Sequence, residues 1–193
     1  YYSGGLDWTF DDRPIGTVAD LLAACPRGGY PAYAEAQVRE LVARYRPSVL
    51  WNDISWPSGR QRLFDLFEHY YASVSDGVVN DRFMPASGIG LAARNTLVRR
   101  GLDAGLTWHA RRSHGGIVPP TPPHYDVQTP EYTVFPGIRE RPFETVRGMD
   151  RSFGYNRNST PDLFLSEREL LGTLSDVAAK GGNLLLNVGP KGE

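Results

Sequence analysis

The feature that most constrains the fold is a continuous apolar run at residues 183–188 (NLLLNV), which directly follows an amphipathic helix. A strand without alternation of apolar and polar residues is buried on both faces, and such strands are typical of parallel sheets. The helix before it is predicted from a capping box between Ser166 and Glu169 and from Gly181 at its end. A helix followed by a doubly buried strand favours an α/β fold.

The same order of elements is predicted twice more upstream. An amphipathic segment at residues 34–46 precedes an apolar strand at residues 48–51, and a second one at residues 60–75 precedes a strand at residues 77–80. Repeated units of this kind predict an α/β protein, and a (β/α)8 TIM-like barrel is the leading candidate. Because a complete barrel needs about 250 residues, we expect the 193 residues to form part of one barrel domain.

Each predicted helix has one apolar face with helical spacing, and we expect this face to pack against the sheet. In the first helix the face comprises Val38, Leu41, Val42 and Tyr45. In the second helix it comprises Leu63, Leu66, Phe67, Tyr70 and Val74. In the helix before residues 183–188 it comprises Leu170, Leu174, Val177 and Ala178.

The remaining segments have weaker patterns. Residues 11–31 are rich in proline and glycine, which predicts a long loop. Residues 83–124 also combine many glycines and prolines, and are predicted to be a loop insertion with one short helix at about residues 90–100. Residues 131–135 and 143–147 are predicted to be short strands. The chain opens on YYSGG and stops at GPKGE, so we expect a fragment of a longer protein.

Charge and composition argue against several kinds of partner. The formal net charge is −1 and there is no basic stripe, which argues against binding to nucleic acid. No apolar run approaches the ~18 residues that a membrane-spanning helix needs. The single Cys25 excludes an intrachain disulfide, and the compartment and the oligomeric state stay open. Four Trp, ten Tyr and eight Phe suit a neutral ligand such as a sugar.

Asp53 is the strongest candidate for a catalytic residue. It closes the apolar strand at residues 48–51, and catalytic groups of α/β barrels lie at such carboxyl ends of strands. It precedes the next predicted helix by about seven residues, which is too far for a helix cap. Trp51 and Trp56 lie close on either side, and we expect both rings to pack on the C–H faces of a sugar.

A carboxylate in an aromatic cleft is typical of glycoside hydrolysis, which needs a second carboxyl group as proton donor. The downstream candidates are Asp126, Glu131, Glu140 and Glu144. Glu131 follows a loop in the block TPEYTV, and Glu144 lies in the strand-like block FETV. The spacing alone leaves the choice between them open.

Several blocks together resemble a known family. These are YYSGGLDW, LWNDISW, VVNDRF, TPEY, FETVRGMDRSFGYNRN and KGGNLLLNVGPKGE. The combination, which covers nearly the whole chain outside residues 83–124, resembles the α-L-fucosidases of glycoside hydrolase family 29. The resemblance implies a catalytic (β/α) barrel followed by a small β-sandwich. It also implies a retaining exo-glycosidase that removes terminal L-fucose from oligosaccharides or glycoconjugates, without metal or cofactor.

The resemblance also assigns roles to individual residues. It implies that Asp53 is the nucleophile and that Glu131 is the general acid and base, with Glu144 as the alternative. Arg82, in the block NDR, is similar to an arginine that contacts fucose hydroxyls. Trp51 and Tyr1 are similar to wall residues of the sugar pocket.

The sequence departs from the family pattern at several positions, and two other functions stay open. Phe83 and Phe143 stand where the family has tryptophan, and the substrate-binding histidines of the family precede Tyr1. Fucose and galactose share most of their hydroxyl configuration, so a barrel glycosidase of galactosidase-like specificity is one alternative. A non-catalytic sugar-binding relative is the other, although the presence of both Asp53 and Glu131 argues against it.

Overall fold

The computed structural model describes residues 1–24, 28–86, 92–110 and 121–191, so Cys25 lies outside the described residues. The chain divides into two compact units. The first unit holds the described residues up to Asp126, and the second holds those from Val127 onward. Within the described ranges, no helix is long and apolar enough to cross a membrane.

The first unit is built on short parallel strands. They are β1 (Tyr2–Ser3), β2 (Val49–Leu50), β3 (Asn52–Asp53) and β4 (Val78–Val79). β3 pairs with β1, and β2 pairs with β4, both in parallel. β2 and β3 are consecutive segments on either side of Trp51, so residues 49–53 run between the other two strands. The predicted strand at residues 48–51 and the predicted α/β class are therefore confirmed.

The helices described in this unit are α1 (Val18–Ala24), α2 (Tyr30–Tyr45), α3 (Arg60–Ser73) and α4 (Thr96–Ala110). α1 and α2 connect β1 to β2, and α3 connects β3 to β4. Parallel neighbours joined through helices are the βαβ arrangement that the sequence predicts. The carboxyl ends of β1, β3 and β4, and the loops that follow them, thus face one edge of the sheet.

The hydrophobic core of the first unit lies between α2, α3 and the strands. All five predicted apolar residues of α3 are buried, as are Val38 and Val42 of α2. The prediction for Tyr45 is wrong, since this residue is 68% exposed. The helix begins at Tyr30, earlier than predicted, so its buried stripe runs through positions four residues apart from Tyr30 to Val42 and ends before Tyr45.

α1 corrects the prediction that residues 11–31 are a loop. The hydroxyl of Thr17 accepts the backbone N–H of Asp20 at 3.1 Å, and the Asp20 carboxylate accepts the N–H of Thr17 at 3.1 Å. This reciprocal pair starts the helix in the manner of a capping box. The hydrogen bonds to Thr17 are the main reason that the pKa of Asp20 lies below its usual value.

Of the short helix predicted at about residues 90–100, positions 90 and 91 lie outside the described residues, and α4 begins at Thr96. The side chain of Asn95 accepts the backbone N–H of Leu97 at 2.9 Å and so caps the amino end. Gly101 lies inside the helix, which tolerates such a residue at a cost of about 1 kcal/mol relative to alanine. Arg99 forms an ion pair of 3.3 Å with Asp20, which joins α4 to the start of α1.

The second unit contains β5 (Glu144–Gly148), a short 3₁₀ helix (Pro161–Leu163), α5 (Glu167–Ala179) and β6 (Asn183–Asn187). β5 and β6 pair in parallel over five residues each. The predicted capping box of Ser166 and Glu169 is present. Gly181 has a φ of +79°, as expected for the residue that ends a helix in the left-handed conformation.

Three predictions for this unit are wrong. Residues 131–135 form no strand, because Tyr132 has a φ of 51° and only Glu131 makes a bridge, to Val146. β6 is not buried on both faces, since its residues alternate between exposed and half-buried. Of the predicted apolar face of α5, only Val177 is fully buried. The described strands form three two-stranded parallel ladders and no closed barrel.

Candidate active site

The Asp53 carboxylate lies at the carboxyl end of β3, beside the end of β1. The parallel register places Ser3 opposite Asp53, and the N–H of Gly4 donates to the backbone oxygen of Asp53 at 3.0 Å. The Asp53 side chain is 24% exposed, so solvent or a ligand can reach it. This is the edge of the sheet where α/β enzymes carry their catalytic groups.

Three donors hold the Asp53 carboxylate. The hydroxyl of Tyr1 donates to Oδ2 at 2.8 Å, and Nη1 of Arg82 donates to Oδ1 at 3.2 Å. The backbone N–H of Ile54 donates to Oδ1 at 2.9 Å. The guanidinium is largely buried, with 10% of the Arg82 side chain exposed, so solvent screens this ion pair less than a surface pair. The carboxylate is therefore fixed in orientation on both of its oxygens.

The ring of Trp51 forms a flat apolar surface beside this carboxylate. Tyr1 stacks on it with ring centroids 5.3 Å apart and planes 23° apart. The guanidinium carbon of Arg82 lies 4.8 Å from the Trp51 ring centroid, which is within the range of a cation–π contact. Tyr1, Trp51, Asp53 and Arg82 thus form one cluster, which we call the Asp53 cluster.

Trp56 does not line this surface, so the expectation that its ring walls the sugar pocket is wrong. The ring is fully buried in the core, where it packs against Phe83 and donates its indole N–H to Ser58 at 2.8 Å. The cause is the backbone between Asp53 and Trp56. Ile54 and Ser55 have φ values of 60° and 66°, and this left-handed turn directs Trp56 back into the core.

The left-handed turn at Ile54 is held by a close approach of two glycines. A β-branched residue at positive φ is strained and persists only where the surroundings enforce it. A Cβ atom on Gly5 would lie 1.5 Å from the backbone oxygen of Ile54, and one on Gly4 would lie 3.0 Å from the oxygen of Ser55. The absence of side chains at Gly4 and Gly5 therefore allows the loop after β1 to press against the turn.

A buried amide that the sequence analysis did not identify connects the loops of this site. Asn52, whose side chain is fully buried, donates from Nδ2 to the backbone oxygens of Ser55 at 2.8 Å and Arg82 at 3.0 Å. Its Oδ1 accepts the N–H of Gly4 at 3.1 Å. Every hydrogen-bonding atom of this amide is thus used to join the three loops around Asp53. The repeated Asn-Asp pair, in LWND and VVND, was the available signal.

Asp126, one of the candidates for the second carboxyl group, instead binds the backbone at the end of β4. Its Oδ2 accepts the backbone N–H of Val79 at 2.8 Å and the hydroxyl of Tyr71 at 2.6 Å. His124 Nε2 lies 2.7 Å from the same hydroxyl. Burial, together with the hydrogen bond to Asp126, raises the pKa of Tyr71. The Asp126 carboxylate thus satisfies the backbone N–H of the last residue of β4.

Glu131 and Glu144 belong to the second unit. Glu131 is half-buried and bridges to Val146 in the middle of β5, where Tyr132 donates its N–H to the oxygen of Val146 at 2.9 Å. Glu144 is the first residue of β5 and lies opposite Asn183. Glu131 is therefore nearer than Glu144 to the carboxyl end of β5. Glu140 is exposed in the preceding loop.

In the described ranges, no group of three or more His, Cys, Asp or Glu side chains could hold a metal ion. The donors to the Asp53 carboxylate are a hydroxyl, a guanidinium and one backbone N–H, and these suit the carboxylate itself or sugar hydroxyls.

Comparisons with known proteins agree on one family. A family profile described as Alpha-L-fucosidase matches residues 17–193. An α-L-fucosidase of Branchiostoma floridae is 27% identical over 162 residues, which are 80% of this chain and 29% of that protein.

Two solved structures of Thermotoga maritima α-fucosidase are also similar. The complex with a mechanism-based inhibitor is 40% identical with a TM-score of 0.72, and the match covers 98% of this chain and 36% of that one. The complex with fucose is 39% identical with a TM-score of 0.69, and covers 98% and 35%. This chain thus spans about a third of the length of the relatives it matches. On the family profile and these identities, the chain belongs to the α-L-fucosidase family.

Proposed function

We propose that the full-length protein containing this chain is a retaining exo-glycosidase that hydrolyses terminal α-L-fucosyl residues of fucosylated oligosaccharides or glycoconjugates. The observation that carries the proposal is the Asp53 carboxylate, held by Tyr1 and Arg82 beside the stacked rings of Tyr1 and Trp51, in a chain of the α-L-fucosidase family. The fucose complex of the T. maritima relative supports the choice of sugar.

The proposed fold is a TIM-like (β/α)8 barrel to which residues 1–193 contribute a part, with residues 83–124 as an insertion. The parallel order of β1, residues 49–53 and β4, with helices in each connection, supports it. So does the parallel pair of β5 and β6 joined through α5. In such a barrel, the carboxyl ends of the strands meet at one face, where catalytic groups of different strands can cooperate.

The proposed reaction has two steps. Asp53 attacks the anomeric carbon of the α-L-fucoside while a protonated Glu131 donates its proton to the leaving oxygen, which gives a covalent fucosyl-enzyme. Glu131 then removes a proton from water, which attacks the same carbon, releases fucose with retained configuration and regenerates Asp53. In this scheme the stacked pair of Tyr1 and Trp51 forms the apolar wall against which fucose packs, and Arg82 binds a hydroxyl while it orients Asp53.

The location of the two glutamates supports Glu131 over Glu144 as the acid and base. Glu144 is the first residue of β5. The first residue of a parallel strand lies at the edge of the sheet opposite the carboxyl ends, where catalytic groups lie. Glu131 lies beside Val146, two residues before β5 ends at Gly148. A retaining enzyme needs its two carboxyl groups about 5–5.5 Å apart. The proposal therefore requires this separation between the carboxyl groups of Asp53 and Glu131 in the full-length protein.

The test compares aryl α-L-fucoside with the matching aryl galactosides as substrates of the full-length protein. We expect turnover of the fucoside, and NMR should show α-fucose as the first product. Inverted product would exclude the double displacement, turnover of galactosides alone would favour the other glycosidase, and no turnover would favour a sugar-binding relative.

A variant series then tests the nucleophile. Asp53→Gly should lose turnover by roughly 10⁴-fold or more, and azide should restore it as β-fucosyl azide, since the small anion enters the space left by the carboxylate. Asp12→Gly, at an exposed loop position, is the matched control and should retain full activity. An Asp53→Gly variant with wild-type turnover would end the assignment.

A further inference from the structure

The loop that follows β1 starts directly beside the catalytic carboxylate. Gly4 donates its N–H to the backbone oxygen of Asp53 at 3.0 Å, and Gly5 lies against Ile54, the residue after Asp53. β1 and β3 are parallel neighbours in register, so this loop leaves the sheet at the same edge as Asp53. Residues 6–10 therefore belong to a loop at the same edge of the sheet as the Asp53 cluster.

Residues 6–10 are held at both ends. The hydroxyl of Tyr30, fully buried at the start of α2, donates to the backbone oxygen of Gly4 at 3.1 Å. At the other end, the ring of Phe10 packs on Tyr30 and Tyr33 at centroid distances of 5.1 and 5.2 Å. A loop fixed at both ends over such a short span has little conformational freedom left to lose when it binds a ligand.

The turn between these two anchors is organised by Asp7. Its carboxylate accepts the backbone N–H of Thr9 at 2.9 Å, and its backbone oxygen accepts the N–H groups of Phe10 at 3.1 Å and Asp11 at 3.0 Å. Trp8 lies at the apex of this turn, and 60% of the residue is exposed. Tryptophan is enriched at binding interfaces because its ring combines a large apolar face with one polar N–H group.

We infer that Trp8 is an aromatic platform for the sugar ring on the leaving-group side of the scissile bond. The inference rests on the proposed function. The Asp53 cluster takes up the terminal fucose, so the remainder of the glycan leaves across the rim, where the loop after β1 lies. Pyranose rings have C–H faces that pack on indole, and Tyr and Trp bind through large apolar area combined with little entropy loss. Trp8 would thereby set a preference for glycans over simple fucosides.

The test uses the full-length enzyme and two substrates with different leaving groups. α-L-Fucosyl fluoride has no ring beyond fucose, whereas α-L-fucosyl-(1→2)-D-galactose has a galactose ring in the proposed position. Trp8→Ala should lower kcat/KM for the disaccharide roughly 5- to 30-fold, mainly through KM, as expected when uniform binding is removed. In the same variant, kcat/KM for the fluoride should change by less than about twofold. Trp8→Phe should give a kcat/KM for the disaccharide between those of wild type and Trp8→Ala.

Tyr45→Ala, at an exposed aromatic on the last turn of α2, is the matched control and should leave both substrates unchanged. Equal losses for both substrates would show that Trp8 only supports the loop, and no loss for either would show that it does not bind the leaving group. Either result overturns the inference while wild-type activity upholds the proposed function. A wild-type enzyme inactive on both substrates overturns the proposed function and the inference with it.

Discussion

The side chain of Asn80 binds the backbone of Asn52 as a neighbouring strand would. Its Oδ1 accepts the N–H of Asn52 at 3.0 Å, and its Nδ2 donates to the oxygen of Asn52 at 2.8 Å. β4 has ended one residue earlier, at Val79, so a side-chain amide continues the ladder where the backbone no longer does. This lets the chain after β4 turn toward Arg82 while the residue before Asp53 stays fully hydrogen-bonded.

We therefore expect Asn80→Ala to destabilise the full-length protein by roughly 2–4 kcal/mol, because two buried backbone groups lose their partners at about 1–3 kcal/mol each. Denaturant unfolding measures this. Asn158→Ala, at an exposed position, is the control and should change stability by less than about 0.5 kcal/mol. A stability of Asn80→Ala equal to that of the control would show that water replaces the amide.

The contact of Gly5 with Ile54 predicts a second large loss. Gly5→Ala places a methyl group 1.5 Å from a backbone oxygen, and backbone cannot yield as a flexible side chain does. We expect a loss of about 3 kcal/mol in unfolding free energy, with reduced activity, since the turn after Asp53 must shift. Gly137→Ala meets nothing within 4 Å and should be neutral. A neutral Gly5→Ala would contradict the close approach.

Tyr1→Phe isolates one hydrogen bond of the proposed catalytic site. The variant loses the 2.8 Å bond to Asp53 Oδ2 but keeps the ring that stacks on Trp51. Tyr1 is 78% exposed, so water competes for this bond, and we expect kcat/KM for an aryl fucoside to fall only about fivefold. Steady-state kinetics measure this against Tyr45→Phe as the control. An undiminished rate would mean that the hydroxyl does not orient Asp53.

Leaving-group dependence distinguishes the two glutamates. Glu131→Gln should lower kcat by about 10²–10⁴-fold for an alkyl fucoside, whose leaving oxygen needs a proton, and much less for a dinitrophenyl fucoside, whose leaving group needs none. Glu144→Gln should affect both substrates alike. The reverse pattern would transfer the acid and base role to Glu144.

The cap of α5 predicts a dependence on acid pH. Hydrogen bonds from the side chain and backbone of Ser166 hold the pKa of Glu169 below its usual value. A carboxyl group with a lowered pKa in the folded state contributes stability above its unfolded pKa, about 4.3, and loses it as the pH falls through the folded pKa. Thermal melts below about pH 4 should therefore fall less steeply for Glu169→Gln than for wild type. Glu167→Gln, outside the cap, serves as the comparison, and identical slopes for both variants would contradict the prediction.

Much of the fold follows from local patterns. The apolar face of α3, the parallel strands around residues 49–53 and the cap of α5 depend on spacing and neighbouring residues, and each was predictable. α1 was also within reach, because Thr17 and Asp20 have the spacing of a capping pair. The many prolines and glycines around α1 led instead to the prediction of a loop.

The candidate site was only partly predictable. Asp53 could be placed at the carboxyl end of a strand because that position depends on the apolar run before it. Trp56 could not be placed, since its burial depends on the left-handed turn at Ile54 and Ser55, and β-branched residues rarely adopt that conformation. That turn exists because Gly5, about fifty residues earlier in the chain, packs against it.

The sequence by itself thus determined the α/β class, the family and the position of Asp53 at the end of a strand, since these depend on periodicity and on contiguous motifs. Only the tertiary structure decided which side chains surround that carboxylate. Tyr1, Asp53 and Arg82 meet through parallel strand pairing and through a buried amide at Asn52, which are contacts between segments far apart in the chain. A local pattern specifies how a segment folds, but the partners of its side chains depend on the packing of segments that the pattern does not contain.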